Sequence, residues 1–105
     1  MTPPPSPIEC QTMRDVRAGV DEVDRELVAL LAKRFAYMDA AARIKSDRAA
    51  VRDELRKAGV LANVAAEARG RKVDGALMAR LYEDIVETSI AHELVEYDRL
   101  RSTVE

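Results

Sequence analysis

Residues 15–34 read DVRAGVDEVDRELVALLAKR, and together with AAARIK at residues 40–45 they set the architecture of this chain. Apolar or near-apolar residues recur here at alternating steps of three and four, and Arg34 fills the only gap. This row, called the seam below, consists of Val16, Val20, Val23, Leu27, Leu30, Tyr37, Ala41 and Ile44. Such spacing is typical of a helix that pairs with another helix. It predicts one long helix from about Met13 to Lys45.

Three cations, Arg17, Arg34 and Lys45, interrupt the apolar pattern of this helix. Arg34 and Lys45 leave the same face, because their spacing is about three turns, or roughly 16 Å between Cα atoms. Arg17 lies roughly 25 Å from Arg34, too far to share one small ligand within a chain. If two copies pair antiparallel about a centre near residue 28, the partner's Arg17 falls opposite residue 39, midway between the other two. The pattern therefore predicts a homodimer with two cationic pockets, each suited to a small dianion.

Composition excludes several other classes of protein. The 105 residues carry a formal net charge of -2, with basic residues interleaved among acidic ones, so neither a nucleic acid nor a membrane surface is expected as a partner. Cys10 and His92 are each the single residue of their type, which leaves no disulfide pair or thiolate metal site, and we expect no metal or cofactor. The start MTPPPSPIE lacks the features of a signal peptide, and no stretch is long and apolar enough to span a membrane, so we expect a cytoplasmic protein.

The remaining signals predict an all-α chain of three helices. Residues 1–11 hold all four prolines and should form a flexible, extended tail, while residues 12–105 form one helical domain. Thr12 should cap the first helix. After a turn at residues 46–50 the apolar pattern restarts at Val51, and this second helix should stop before Gly70. Asp74 should cap the third helix, whose stripe includes Ser89 and Glu93 where apolar residues would be expected.

These motifs, with SIAHELVEY at residues 89–97, resemble the all-helical (type II) chorismate mutases, and more closely the branch that contains the isochorismate-pyruvate lyases. The resemblance covers nearly the whole chain after the tail, and the spacing of Arg17, Arg34 and Lys45 is similar to that of the family's substrate-binding cations. It implies an intertwined homodimer of three-helix protomers in which each active site borrows Arg17 from the partner. It also implies conversion of chorismate to prephenate, an intramolecular rearrangement that needs no cofactor.

By this resemblance, Arg17 and Arg34 would bind the two carboxylates of the substrate, and Lys45 would contact the enol-ether oxygen. These residue types suit the chemistry. Guanidinium forks can hold a flexible dianion in its reactive conformation, and an ammonium held in a desolvated pocket stabilises the charge that develops on the breaking ether bond.

Other positions of the chain match the family less closely. The resemblance implies carboxylate or neighbouring contacts for Arg56 and Ser89, and a backbone-amide contact to the ring hydroxyl for Asp53. Glu93 stands where bacterial mutases often have Gln, a hydrogen-bond donor, and a carboxyl group donates only when protonated, so we expect activity to fall as pH rises. Lys57 stands where several mutases carry a Glu for the ring hydroxyl. This departure is similar to the lyase branch and leaves isochorismate open as the substrate.

Simpler interpretations remain for single residues. Arg34 alone could specify helix register, Lys45 could be a solvated cation at a helix end, and Ser89 could be a small packing residue. Glu93 could be a helix-boundary residue that faces water. A different class of protein, a helical dimerisation module without activity, would tolerate apolar replacement of all three cations, whereas an enzyme would lose turnover with Arg34→Ala.

Overall fold

A computed structural model describes residues 2–102, and this part of the chain is helical, without a strand. A 3₁₀ turn at Pro7–Glu9 precedes helix α1 at Met13–Ile44. A second 3₁₀ turn at Arg48–Val51 leads to helix α2 at Glu54–Gly70, and helix α3 spans Gly75–Arg101. The three α-helices confirm the predicted all-α protomer with a long first helix. The predicted tail, residues 1–11, and the predicted helical domain, residues 12–105, both extend slightly beyond this part of the chain. Residues 1 and 103–105 lie outside the described residues.

Helix α1 begins at Met13, directly after Thr12, the residue predicted to cap it. The Thr12 hydroxyl accepts a hydrogen bond from the Asp15 amide at 3.1 Å, and the Asp15 carboxylate accepts from the amides of Gln11 and Thr12 at 3.0 and 3.3 Å. These bonds satisfy amides that have no partner within a helix at its first turn. Helix α3 is capped as predicted too, because the Asp74 carboxylate accepts from the amide of Ala76 at 2.8 Å.

The predicted start and end of the second helix were wrong. Val51 is the last residue of the second 3₁₀ turn, and α2 begins only at Glu54, because the Asp53 carboxylate caps it by accepting from the Arg56 amide at 2.9 Å. At the other end α2 includes Gly70, and the chain reverses at Lys72, which has a φ of 63°. A lysine rather than the glycine therefore adopts the left-handed conformation that ends this helix. In the predicted tail, residues 7–9 form a 3₁₀ turn instead of extended chain.

The described chain divides into two compact units, one ending at Arg34 and the other beginning at Phe35. The second unit contains the last turns of α1, the second 3₁₀ turn, α2 and α3. Its buried core consists of Ala42, Val51, Val86, Ile90 and Tyr97. Helices α2 and α3 approach each other closely at Gly75, because a Cβ atom there would come within 2.9 Å of the Ala65 carbonyl oxygen.

The first unit contains the tail and most of α1. An apolar cavity of about 410 Å³ lies here, lined mainly by Pro4, Pro5, Pro7, Val16, Val20 and Val23. The charged side chains along its wall are Glu22 and Glu26, which would repel an anion. This cavity is therefore not suited to the predicted dianionic ligand.

Two kinds of feature are absent from the described residues. No helix in residues 2–102 has both the length and the apolar character of a membrane span. No three or more His, Cys, Asp or Glu side chains in the same range are arranged to hold a metal ion.

Candidate active site

The structure brings together two of the predicted site residues, Lys45 and Glu93. Lys45 directly follows α1, and its ammonium nitrogen Nζ donates to Oε2 of Glu93 at 2.7 Å. Glu93 is buried, with 3% of its surface exposed, whereas the side chain of Lys45 is 29% exposed. An ammonium has three donors, and this bond uses one of them. The partly exposed Lys45 can therefore contact a ligand while Glu93 holds it.

The burial of Glu93 excludes the interpretation that it is a water-facing residue at a helix boundary. It lies well inside α3, four residues after the buried Ser89. Burying a charged carboxylate is costly unless a partner compensates for the lost water, and Lys45 supplies that partner. The Ser89 hydroxyl donates to the carbonyl oxygen of Ile85 within its own helix at 2.6 Å. Ser89 and Glu93 thus share one face of α3, because they are four residues apart.

The two predicted arginines lie elsewhere along α1. Arg17 is exposed near the start of the helix, and Arg34 is partly buried at the end of the first unit. Lys45 and Glu93 belong to the second unit. The predicted roles of Arg17 and Arg34 as ligands of the substrate carboxylates remain proposals.

Asp53 and Arg56 lie together at the start of α2, and both are exposed. The hydrogen bond between the Asp53 carboxylate and the Arg56 amide is a helix cap, so the side chain of Asp53 already has a local structural role. The contribution predicted for Asp53, a contact through its backbone amide, is not affected by this cap.

Lys57 is held by carboxylates of α3, an arrangement that the sequence did not reveal. Its ammonium donates to Glu83 at 2.5 Å and to Glu87 at 2.8 Å, and its side chain is 16% exposed. Arg52 adds two bonds to Glu87, at 2.7 and 3.2 Å, and one to Glu54 at 2.9 Å. The bonds from Glu83 and Glu87 raise the pKa of Lys57, while those from Arg52 and Lys57 lower the pKa of Glu87 to about 2. The charge of Lys57 is therefore compensated locally and contributes little to an anion site.

These features define a class of protein: a three-helix, all-α chain whose long first helix carries arginines and is followed directly by a lysine paired with a buried carboxylate. The family model of the type II chorismate mutases matches residues 16–94, and the chain belongs to this family. It is similar to an isochorismate pyruvate lyase of Pseudomonas aeruginosa, with 28% identity over 96 residues that cover 91% of this chain and 95% of that protein. The matched range includes Arg17, Arg34, Lys45 and Glu93. These findings confirm the resemblance and identify the chain as a member of an enzyme family.

Proposed function

We propose that this protein is a chorismate mutase, which converts chorismate to prephenate in a cationic pocket shared by two copies of the chain. The observation that carries the proposal is the bond between Lys45 and the buried Glu93, in a chain that belongs to this family. The bond holds an ammonium group in place before a substrate arrives. A preorganised charge of this kind stabilises a transition state better than mobile water does.

The reaction needs positioning and charge stabilisation rather than a nucleophile. One carbon–oxygen bond breaks while one carbon–carbon bond forms within the same molecule, so the enolpyruvyl arm must first fold over the ring. In this proposal Arg34 of one copy and Arg17 of the other bind the two carboxylates and hold that conformation. The ammonium of Lys45 contacts the ether oxygen, which gains negative charge as its bond breaks.

Glu93 contributes in a way that depends on its protonation. When ionised, its carboxylate orients Lys45 but cannot donate a hydrogen bond to the ether oxygen. When protonated, one oxygen still accepts from Lys45 while the other donates to the substrate. We therefore propose that the protonated form is the more active one, so that turnover falls as pH rises.

The proposed homodimer is supported by the apolar surface of α1. Six seam residues are each at least half exposed in the single chain: Val20, Val23, Leu27, Leu30, Tyr37 and Ile44. Fully burying one Val or Leu side chain contributes about 1.5–3 kcal/mol, so pairing along this row would be strongly favourable. We propose that a second copy covers the seam and supplies the Arg17 that completes each pocket. The cytoplasmic location expected from the sequence remains part of the proposal.

A second candidate is an isochorismate-pyruvate lyase, which would give salicylate and pyruvate. Lys57 stands where a glutamate would receive the ring hydroxyl of chorismate, so α2 itself supplies no carboxylate at that position. The relative in Pseudomonas aeruginosa is named an isochorismate pyruvate lyase. Both reactions would use the same cations.

The test supplies chorismate and isochorismate separately to the purified chain, between about pH 5 and about pH 8, and identifies the products by chromatography. Prephenate from chorismate supports the mutase. If isochorismate gives salicylate and pyruvate while chorismate gives no prephenate, the lyase becomes the proposed function instead of the mutase. If neither substrate reacts, the enzyme proposal is wrong and a helical dimerisation module is the better description.

A further inference from the structure

Arg101, the last residue of α3, binds the end of α1. Its Nη1 donates to the carbonyl oxygens of Ala42 at 3.0 Å and Tyr97 at 3.4 Å, and its Nη2 donates to the carbonyl oxygen of Lys45 at 2.6 Å. The guanidinium also stacks on Tyr97, with its central carbon 3.6 Å from the ring centroid. Ala42 is fully buried and Tyr97 nearly so. Arg101 therefore contacts buried parts of the second unit.

These contacts suit the chemistry of a helix end. The last carbonyl groups of a helix have no partner within it, and a nearby cation is also favoured by the helix dipole. A guanidinium presents several N–H donors in one plane, so it can bond to two carbonyl groups at once, and it stacks well on an aromatic ring. Arg101 thus stabilises the end of α1 from another helix.

Side chains of α3 therefore hold Lys45 both at its backbone and at its side-chain ammonium. Glu93 binds its ammonium nitrogen, and Arg101 binds its backbone carbonyl. Glu93, Tyr97 and Arg101 are spaced four residues apart and therefore lie along one face of α3. One row of side chains thus determines the position of both the backbone and the charged group of Lys45.

We propose that Arg101 is a positioning residue for Lys45. The match to the family model ends at residue 94, so Arg101 lies beyond the part of the chain that it covers. Without the two bonds from Arg101, the backbone at the end of α1 is no longer fixed to α3, and the Lys45 ammonium, held by Glu93 alone, occupies a wider range of positions. The catalytic consequence rests on the proposed function, because only a bound substrate makes the position of this charge matter for turnover.

The test uses the full chain with Arg101→Lys and Arg101→Gln. Lysine keeps the charge but lacks the planar fork, so it cannot reproduce both carbonyl bonds. Arg99→Gln is the matched control, because Arg99 lies on the same helix and bonds to Glu96 at 2.9 and 2.5 Å rather than to α1.

The first readout is the nitrogen NMR signal of each lysine ammonium, in a chain with only four lysines. Substituting Lys45 identifies its signal. We expect both Arg101 variants to shift or broaden the Lys45 signal and to leave that of Lys57, which Glu83 and Glu87 hold, unchanged. A general loss of structure would disturb both signals. An unchanged Lys45 signal in a folded Arg101→Lys variant would overturn the proposal.

The second readout is steady-state kinetics with the substrate that the wild-type chain converts. We expect kcat to fall about tenfold in Arg101→Gln with KM changed less than about threefold, because the ammonium acts on the transition state more than on the bound substrate. A change in kcat no larger than that of Arg99→Gln would contradict the catalytic part. If the wild-type chain converts neither substrate, the proposed function fails, while the NMR readout still tests the link between Arg101 and Lys45.

Discussion

The ammonium of Lys45 lies 2.7 Å from the carboxylate of Glu93, although the two residues are 48 positions apart in the sequence. The pair joins the end of α1 to the C-terminal half of α3. The carboxylate of Glu93 is buried, while Lys45 remains partly exposed. A buried carboxylate that loses its cationic partner destabilises the fold, because little water is available to take the place of the cation. The pair is therefore central to the stability of the second unit as well as to the proposed chemistry.

Replacing Lys45 should destabilise the fold. Lys45→Met removes the partner of a buried carboxylate, and we expect the free energy of unfolding to fall by about 1–3 kcal/mol, less than for a fully buried pair because Lys45 is partly exposed. Urea unfolding measures this change. The double variant Lys45→Met/Glu93→Gln should recover part of the loss, since it leaves no unpaired charge. Equal stability of wild type and Lys45→Met would show that the bond contributes little.

Replacing Glu93 should change the pH dependence of turnover. Glu93→Gln carries a permanent N–H donor, so its kcat should stay nearly constant between about pH 5 and about pH 8, while the wild-type value falls as pH rises. The control is Glu67→Gln, because Glu67 is exposed on α2 and pairs with Arg71. The same slope in wild type and Glu93→Gln would remove the proposed role of a protonated Glu93.

Removing Arg34 should abolish most of the activity. Arg34→Ala loses a proposed carboxylate ligand, and we expect kcat/KM to fall at least about a hundredfold. The control Arg25→Ala removes an exposed arginine that lies on α1 away from the seam. Size-exclusion chromatography should give the same elution volume for both variants. Full activity of Arg34→Ala would show that Arg34 is not a carboxylate ligand of the substrate.

A charge in the seam should prevent pairing of two copies. Leu27→Glu places a carboxylate in the apolar row, and light scattering should then report the mass of one chain. Turnover should be lost as well, because each pocket needs the partner's Arg17. Ala32→Glu is the control, since Ala32 is exposed on α1 and lies away from the seam. A wild-type chain that is already monomeric would contradict the proposed homodimer.

The bonds from Arg52 and Lys57 to Glu87 should make the stability of the fold fall as the solution becomes acidic. Arg52 and Lys57 lower the pKa of Glu87 from its ordinary value of 4.5 to about 2. A lowered pKa in the folded state contributes stability above the ordinary value, and this contribution is lost as pH falls toward about 2. The stability difference between wild type and Glu87→Gln should therefore be largest near neutral pH and shrink below about pH 5. Thermal unfolding across this range measures it, and a constant difference would contradict the assignment.

Much of the fold could be predicted because it depends on neighbours in the chain. The apolar period of α1, the Thr12 cap and the Asp74 cap each involve residues within about four positions of one another, and such patterns are visible in a sequence. The start of α2 was missed although Asp53 is a local cap, because the apolar residue Val51 resembled a helix residue. In the structure Val51 is instead buried in the core from a 3₁₀ turn.

The sequence by itself determined the class of the protein: the helix content, the seam, the cations at their spacing and the family to which they belong. Tertiary structure decided how the charged side chains are used. It buried Glu93 against Lys45, held Lys57 between two carboxylates, and placed Arg101 on the end of α1. Helical periodicity follows from interactions between near neighbours. The partner of a charged side chain, by contrast, depends on which helix packs beside it, and that is established only when the whole core assembles.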